Sequence, residues 1–92
     1  MVSDEIMKII AVDYDDTYTE LPEIFEDFMK ACKSKGHVVF FVTYRHPGID
    51  KIETSWEVFY TGGKPKAEYM RSQGLEVDIW IDDYPELIGV TH

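Results

Sequence analysis

An apolar run that ends in a crowd of carboxylates limits this chain more than any other feature. Met7-Lys8-Ile9-Ile10-Ala11-Val12 reads as a strand buried on both faces, of the kind found inside parallel sheets. It runs directly into Asp13-Tyr14-Asp15-Asp16-Thr17, three carboxylates and a hydroxyl at the strand's carboxyl end. Carboxylates held that close repel one another by roughly 4 kcal/mol for a pair about 4 Å apart at an effective dielectric of about 20. A bound cation is the usual offset, and hard oxygen ligands select magnesium or calcium over zinc. The plainer alternative is a solvated acidic turn that caps the helix after it.

Composition narrows what the cluster belongs to. Ninety-two residues, 45% of them hydrophobic, predict one small globular domain, spanning 1–92, that buries roughly 60–65% of the surface its unfolded chain exposes. A bound metal or a second subunit is expected to add stability by mass action. The single Cys32 excludes a disulfide framework within the chain, and no Cys/His cluster has zinc spacing. No apolar run approaches the ~20 residues of a membrane span, and the start Met1-Val2-Ser3-Asp4-Glu5 is acidic where a signal peptide is basic. The expectation is a cytoplasmic protein with no membrane partner. A formal charge of −9 argues against a broad phosphate-backbone footprint, so any nucleic-acid substrate must be gripped locally.

Leu21, Ile24, Phe25, Phe28 and Cys32 recur at helical spacing and predict an amphipathic helix over about Glu20 to Lys35, with Pro22 in its first turn and Gly36 ending it. His37 to Thr43 is a second strand, apolar until its last residue. Strand, helix and strand make a βαβ unit with parallel strands, which places Asp13 and Thr43 side by side at one rim. Tyr44 to Gly48 is a loop, Ile49 to Glu53 a short helix, and Trp56 to Thr61 a third strand before the Gly62-Gly63 turn. Lys64-Pro65-Lys66-Ala67 opens a helix to about Gln73, with Pro65 at N1 and Gly74 as terminator. Val77 to Asp83 is a fourth strand, again apolar until it meets carboxylates, and Tyr84 to Ile88 a closing helical turn. Asp78 starts that strand at the solvent end. Phe25, Phe28, Cys32, Trp56 and Trp80 read as packing residues, and His37, His46 and His92 as non-catalytic.

In order along the chain, Asp13-x-Asp15-x-Thr17, Thr43, Lys64 and Asp82-Asp83 resemble the four motifs of the haloacid dehalogenase-like superfamily. One departure is Asp16, where the family commonly has Gly; another is the chain's shortness. The resemblance implies a small Rossmann-like three-layer sandwich with a mainly parallel sheet and minimal or no cap. It also implies a Mg2+-dependent phosphomonoester hydrolase. Asp13 is then the nucleophile that forms an aspartyl-phosphate, and Asp15 the general acid and base. Asp13, the backbone carbonyl of Asp15 and one or both of Asp82 and Asp83 hold the metal. Thr43 and Lys64, with Lys66 as the second candidate lysine, grip the phosphoryl oxygens; Thr17 lies on the substrate side, and Arg45 is either a further phosphate clamp or a solvated loop residue.

In that family, cap domains inserted after the first or third strand select the substrate. Here only Tyr14 to Glu20 and Thr61 to Lys64 fill those gaps. An open site suits a bulky phosphorylated substrate, or a small one enclosed by a homo-oligomeric neighbour. Two other classes compete. A receiver domain groups similar residues, but it needs a phosphoacceptor Asp on a strand between the first acidic pair and the Thr, where only Asp27 occurs, inside the helix. A catalytically silent metal-binding interaction module is the other.

Overall fold

The computed structural model describes residues 6–89. The chain runs β1 (Ile9–Asp13), a 3-10 turn (Tyr18–Glu20), α1 (Pro22–Ser34), β2 (Val38–Thr43), β3 (Val58–Tyr60), α2 (Lys66–Ser72), β4 (Ile79–Ile81) and a second 3-10 turn (Pro85–Leu87). All the strands are parallel, in the order β3-β2-β1-β4. The acidic start Met1–Glu5 and His92 lie outside the described residues.

Side chains alternate between the two faces of a strand, and register makes the alternation coherent across the sheet. Ile10 pairs with Val39 and Val12 with Phe41 and Ile81; these pack with Met29 and Cys32 of α1. Ala11 pairs with Phe40 and Trp80; with Val42 these pack against Met70 of α2. One helix therefore covers each face, giving three layers, and the strands need apolar side chains at every position. The expected α/β architecture with a parallel sheet is the one observed.

Chain direction explains where a ligand would sit. From β1 the chain moves outward through β2 to β3, then returns across the sheet through α2 to β4, on the other side of β1. Neighbouring strands β1 and β4 thus carry connections of opposite sense, and such switch points open a crevice beyond their carboxyl ends. The amino-terminal rim is sealed: Ile9 N–H donates to Asp78 Oδ2 at 2.8 Å, Asp78 N–H to Ile9 O at 2.8 Å, and Lys8 N–H to His37 Nδ1 at 3.0 Å. Asp78 and His37 are register clamps at the rim opposite the acidic cluster.

Several local expectations are corrected. No helix forms over Ile49 to Glu53, where the chain makes a turn and then runs without regular structure. Ile49 and Ile52 would share a helical face, yet Ile49 is 84% exposed while Ile52 is buried, with its N–H donated to Tyr60 Oη at 2.9 Å. In α1 the buried stripe is carried by Met29 and Cys32 with Phe25 and Phe28 beside them. Leu21 is the N-cap, and both Leu21 and Ile24 are exposed. Pro65 is the N-cap of α2 rather than N1, extended at ψ 132°, and its carbonyl accepts the first helical bond from Tyr69 at 3.0 Å. Strands β3 and β4 are each three residues long, shorter than their apolar runs. No described helix is long and apolar enough to cross a membrane.

Candidate active site

Four segments meet at the β1/β4 crevice. Asp13 ends β1, Thr43 ends β2, Lys66 opens α2, and Asp82-Asp83 follow β4 directly. Strand pairing brings Asp13 beside Val42 and Val12 beside Ile81, so the residues after each strand emerge together. Asp13, Asp82 and Asp83 each offer a carboxylate oxygen within 4.8 Å of the others. The donor set is all oxygen, which fits a hard divalent cation.

Lys66 lies at the centre. Helical side chains tilt toward the amino terminus, so a first-turn residue reaches back over the sheet rim. Its Nζ donates to Asp13 Oδ1 at 2.8 Å and Asp82 Oδ2 at 2.6 Å, and the residue is 1% exposed. Asp82 is held on its other side by the Tyr84 N–H, donated to Oδ1 at 3.0 Å. Thr17 ties the two acidic segments together. Its hydroxyl lies 3.1 Å from Asp13 Oδ2 and 3.3 Å from Asp83 Oδ1, with one proton to donate to either, and its oxygen accepts the Asp83 N–H at 3.2 Å.

Three carboxylates stand against one ammonium, and the imbalance appears at Asp13. Burial pushes its carboxyl up to about 6 from 3.8; Lys66 pulls it part of the way back, while Asp83 and the charge of Asp82 add to the rise. Desolvation disfavours the charged form and neighbouring anions disfavour it further. A cation bound here would relieve both.

A cleft of about 150 Å³ opens over these groups, lined by Asp13, Asp15, Asp16, Thr43, Tyr44, Lys66, Asp83 and Tyr84. Its floor carries the nucleophile candidate, a buried hydroxyl and the ammonium. Asp15 forms part of the wall and is tied by two bonds to Arg45, at 2.7 and 3.0 Å. Asp16, the next residue of the turn, has φ 63°, with its N–H donated to Thr19 Oγ1 at 2.9 Å.

Of the residues singled out from sequence, Asp13, Asp15, Thr43, Asp82, Asp83 and Thr17 all come to this rim. Lys64 does not. It is exposed in the turn before α2, where its N–H donates to Thr61 O at 3.3 Å, and Lys66 is the lysine that bonds Asp13 and Asp82. Arg45 faces Asp15 and is not among the cleft residues. Thr17 points between carboxylates, also outside the cleft. Tyr44 and Tyr84 were not legible as site residues: aromatic residues beside Thr43 and Asp83 carry no signal until the strands are paired. Comparison with protein-family models, with curated proteins and with solved structures gives no match.

Proposed function

We propose that this chain is a divalent-metal-dependent phosphomonoester hydrolase of the haloacid dehalogenase-like superfamily, working through an aspartyl-phosphate on Asp13. The observation that carries the reading is the convergence of Asp13, Thr43, Lys66 and Asp82-Asp83, from four separate segments, around one small cleft. Asp16 adds support. It stands where that family commonly has Gly, and among the described residues it is the one non-glycine with positive φ, the conformation glycine adopts without steric cost.

Asp13, Asp82 and Asp83 are the residues that would hold Mg2+. A bound Mg2+ supplies charge that lets an anionic carboxylate approach an anionic phosphate. An Asp13 oxygen attacks phosphorus, and the bond from phosphorus to the leaving oxygen breaks. Asp15 gives that oxygen its proton. Water then attacks the aspartyl-phosphate, Asp15 takes a proton from it, and cleavage of the Asp13 oxygen–phosphorus bond frees inorganic phosphate and the carboxylate. Lys66 and the Thr43 hydroxyl would meet the phosphoryl oxygens where charge accumulates. The cleft has room for a phosphoryl group but not for a large leaving group, which must rest outside, near Tyr44 and Tyr84. Neither gap that would carry a cap holds more than a turn: Tyr14 to Leu21 leads from β1 to α1, and Thr61 to Pro65 from β3 to α2. A receiver-type reading is disfavoured because Asp27, its sole available phosphoacceptor, is an exposed residue of α1.

Release of phosphate from para-nitrophenyl phosphate tests the proposal. The expected result is turnover that requires Mg2+, stops with a chelator and is lost in Asp13→Asn; equal turnover by that variant removes the nucleophile. A protein that binds Mg2+ tightly but turns over no phosphorylated metabolite, oligonucleotide end or phosphopeptide would be the silent binding module instead.

A further inference from the structure

Arg45 is committed to the protein, not to the cleft. Its Nε and Nη2 donate to Asp15 Oδ2 and Oδ1 at 3.0 and 2.7 Å, and its Nη1 to the Asp50 carbonyl and Oδ1, both at 3.3 Å. The guanidinium lies 5.3 Å from the centre of the Tyr14 ring, and the pairing with Asp15 holds it more firmly protonated than usual. Its backbone is fixed too: the N–H donates to Thr43 Oγ1 at 3.2 Å and the carbonyl accepts from Gly62 at 3.1 Å. Every guanidinium nitrogen therefore has a partner, and Asp15, not Arg45, lines the cleft.

Asp15 needs such a partner. Its side chain is 48% exposed, on a turn between Asp13 and Asp16, so little packing holds it and its neighbours repel it. A group that transfers a proton must stand within about 2.6–3.2 Å of the atom it serves, and a displacement of about 1 Å can cost about 10²-fold in rate. A guanidinium fork fixes both oxygens of a carboxylate at once, which a point charge does not. We infer that Arg45 is a positioning residue that acts by holding Asp15 in the cleft wall, with Asp50 and the Tyr14 ring holding Arg45 in turn. This rests on the hydrolase reading above and replaces the alternative in which Arg45 clamps substrate phosphate.

The two roles separate in kinetics with phosphate esters graded from activated aryl to alkyl leaving groups, in Mg2+, for wild type, Arg45→Lys, Arg45→Ala and Asp50→Ala. Positioning predicts that both Arg45 variants lose about 10²-fold in kcat on alkyl esters, and less than about threefold on activated ones, because only poor leaving groups need a proton. KM stays within about twofold, and combining Arg45→Ala with Asp15→Asn costs no more than Asp15→Asn alone. A KM raised about tenfold or more across all esters, adding in full to the Asp15→Asn loss, overturns positioning in favour of a clamp. Should the Arg45 variants fail to fold by circular dichroism, Asp50→Ala decides, since it removes the Oδ1 that accepts from Arg45 Nη1 and leaves both members of the pair in place. It should show the same dependence on leaving group, at smaller size, and a uniform or absent loss overturns the proposal. A wild type that releases no phosphate sinks the hydrolase reading and this inference together, whereas an active wild type with the clamp pattern sinks this inference alone.

Discussion

Replacing the Asp13 carboxylate with the isosteric amide should stabilise the metal-free protein while ending the proposed phosphate-ester hydrolysis. The folded protein holds the Asp13 proton up to about pH 6, against 3.8 for an unperturbed group. That difference of roughly two units corresponds to about 3 kcal/mol of folding stability forgone when the carboxyl ionises. The sign follows from the raised value: the native state gains from its proton below about pH 4, loses that gain as pH rises through 6, and is flat above. An amide has nothing to titrate. Its oxygen keeps the bond from Lys66, and its nitrogen can donate to the Thr17 hydroxyl, whose proton then serves Asp83 Oδ1 at 3.3 Å. Allowing for the lost attraction to Lys66, Asp13→Asn should be about 1–3 kcal/mol more stable at pH 8, or about 5–20 °C in Tm for a domain of this size. Thermal unfolding in a chelator at pH 4, 6 and 8 measures it, with the gap closing toward pH 4. A variant no more stable than wild type at pH 8, or a gap independent of pH, would refute the claim that Asp13 is a strained anion. Magnesium should then narrow the gap by stabilising the wild type more.

Other perturbations separate the site from its supports. Lys66→Met leaves Asp13 and Asp82 facing each other without a cation, and should cost about 3–5 kcal/mol in chelator; denaturant titration reads the loss, and added Mg2+ should restore part of it. Glu26 accepts from Tyr18 Oη at 2.6 Å and from Trp56 Nε1 at 3.1 and 3.2 Å, so Glu26→Ala should destabilise by about 1–3 kcal/mol and alter Trp56 fluorescence. The same bond pushes Tyr18 up to about 12 and holds Glu26 below the usual carboxylate range. Its stabilisation is therefore lost as pH climbs from 10 through 12, or as pH falls below the ordinary glutamate value, and spectrophotometric titration should find one tyrosine that resists ionisation until about pH 12. Asp16→Gly should be neutral or stabilising by up to about 1 kcal/mol in chemical denaturation, whereas Asp16→Val, β-branched at φ 63°, should destabilise.

The parallel sheet and the acidic rim were legible because the two central strands announce themselves twice, by an uninterrupted apolar run and by the polar residue where the run stops. After their first residues, Ile9–Asp13 and Val38–Thr43 are buried on both faces, so no alternation obscures them. Segments held by single anchors were not legible. Ile49 and Ile52 have helical spacing, yet the stretch is shaped by the Tyr60 bond to Ile52 and the Arg45 bond to Asp50, side-chain to backbone contacts that hydrophobic spacing does not encode.

The choice between Lys64 and Lys66 shows where local reasoning stops in the site itself. With Pro65 at N1, Lys64 would be the N-cap and the better placed of the two to reach forward. Pro65 instead sits one position earlier in the helix frame, extended at ψ 132°, which moves N1 to Lys66. That single step turns the Lys66 side chain down over the rim and leaves Lys64 in the Thr61–Lys64 turn, facing water. Only one of the two positions can satisfy both Asp13 and Asp82, because the ammonium must reach 2.8 and 2.6 Å from their oxygens while almost wholly shielded from solvent. The helix frame is therefore part of the site's chemistry. A one-residue deletion between Gly62 and Pro65 that preserved the frame of α2 would keep the ion triad, whereas a one-residue insertion between Pro65 and Lys66 would swing the ammonium away and leave two buried carboxylates to repel each other.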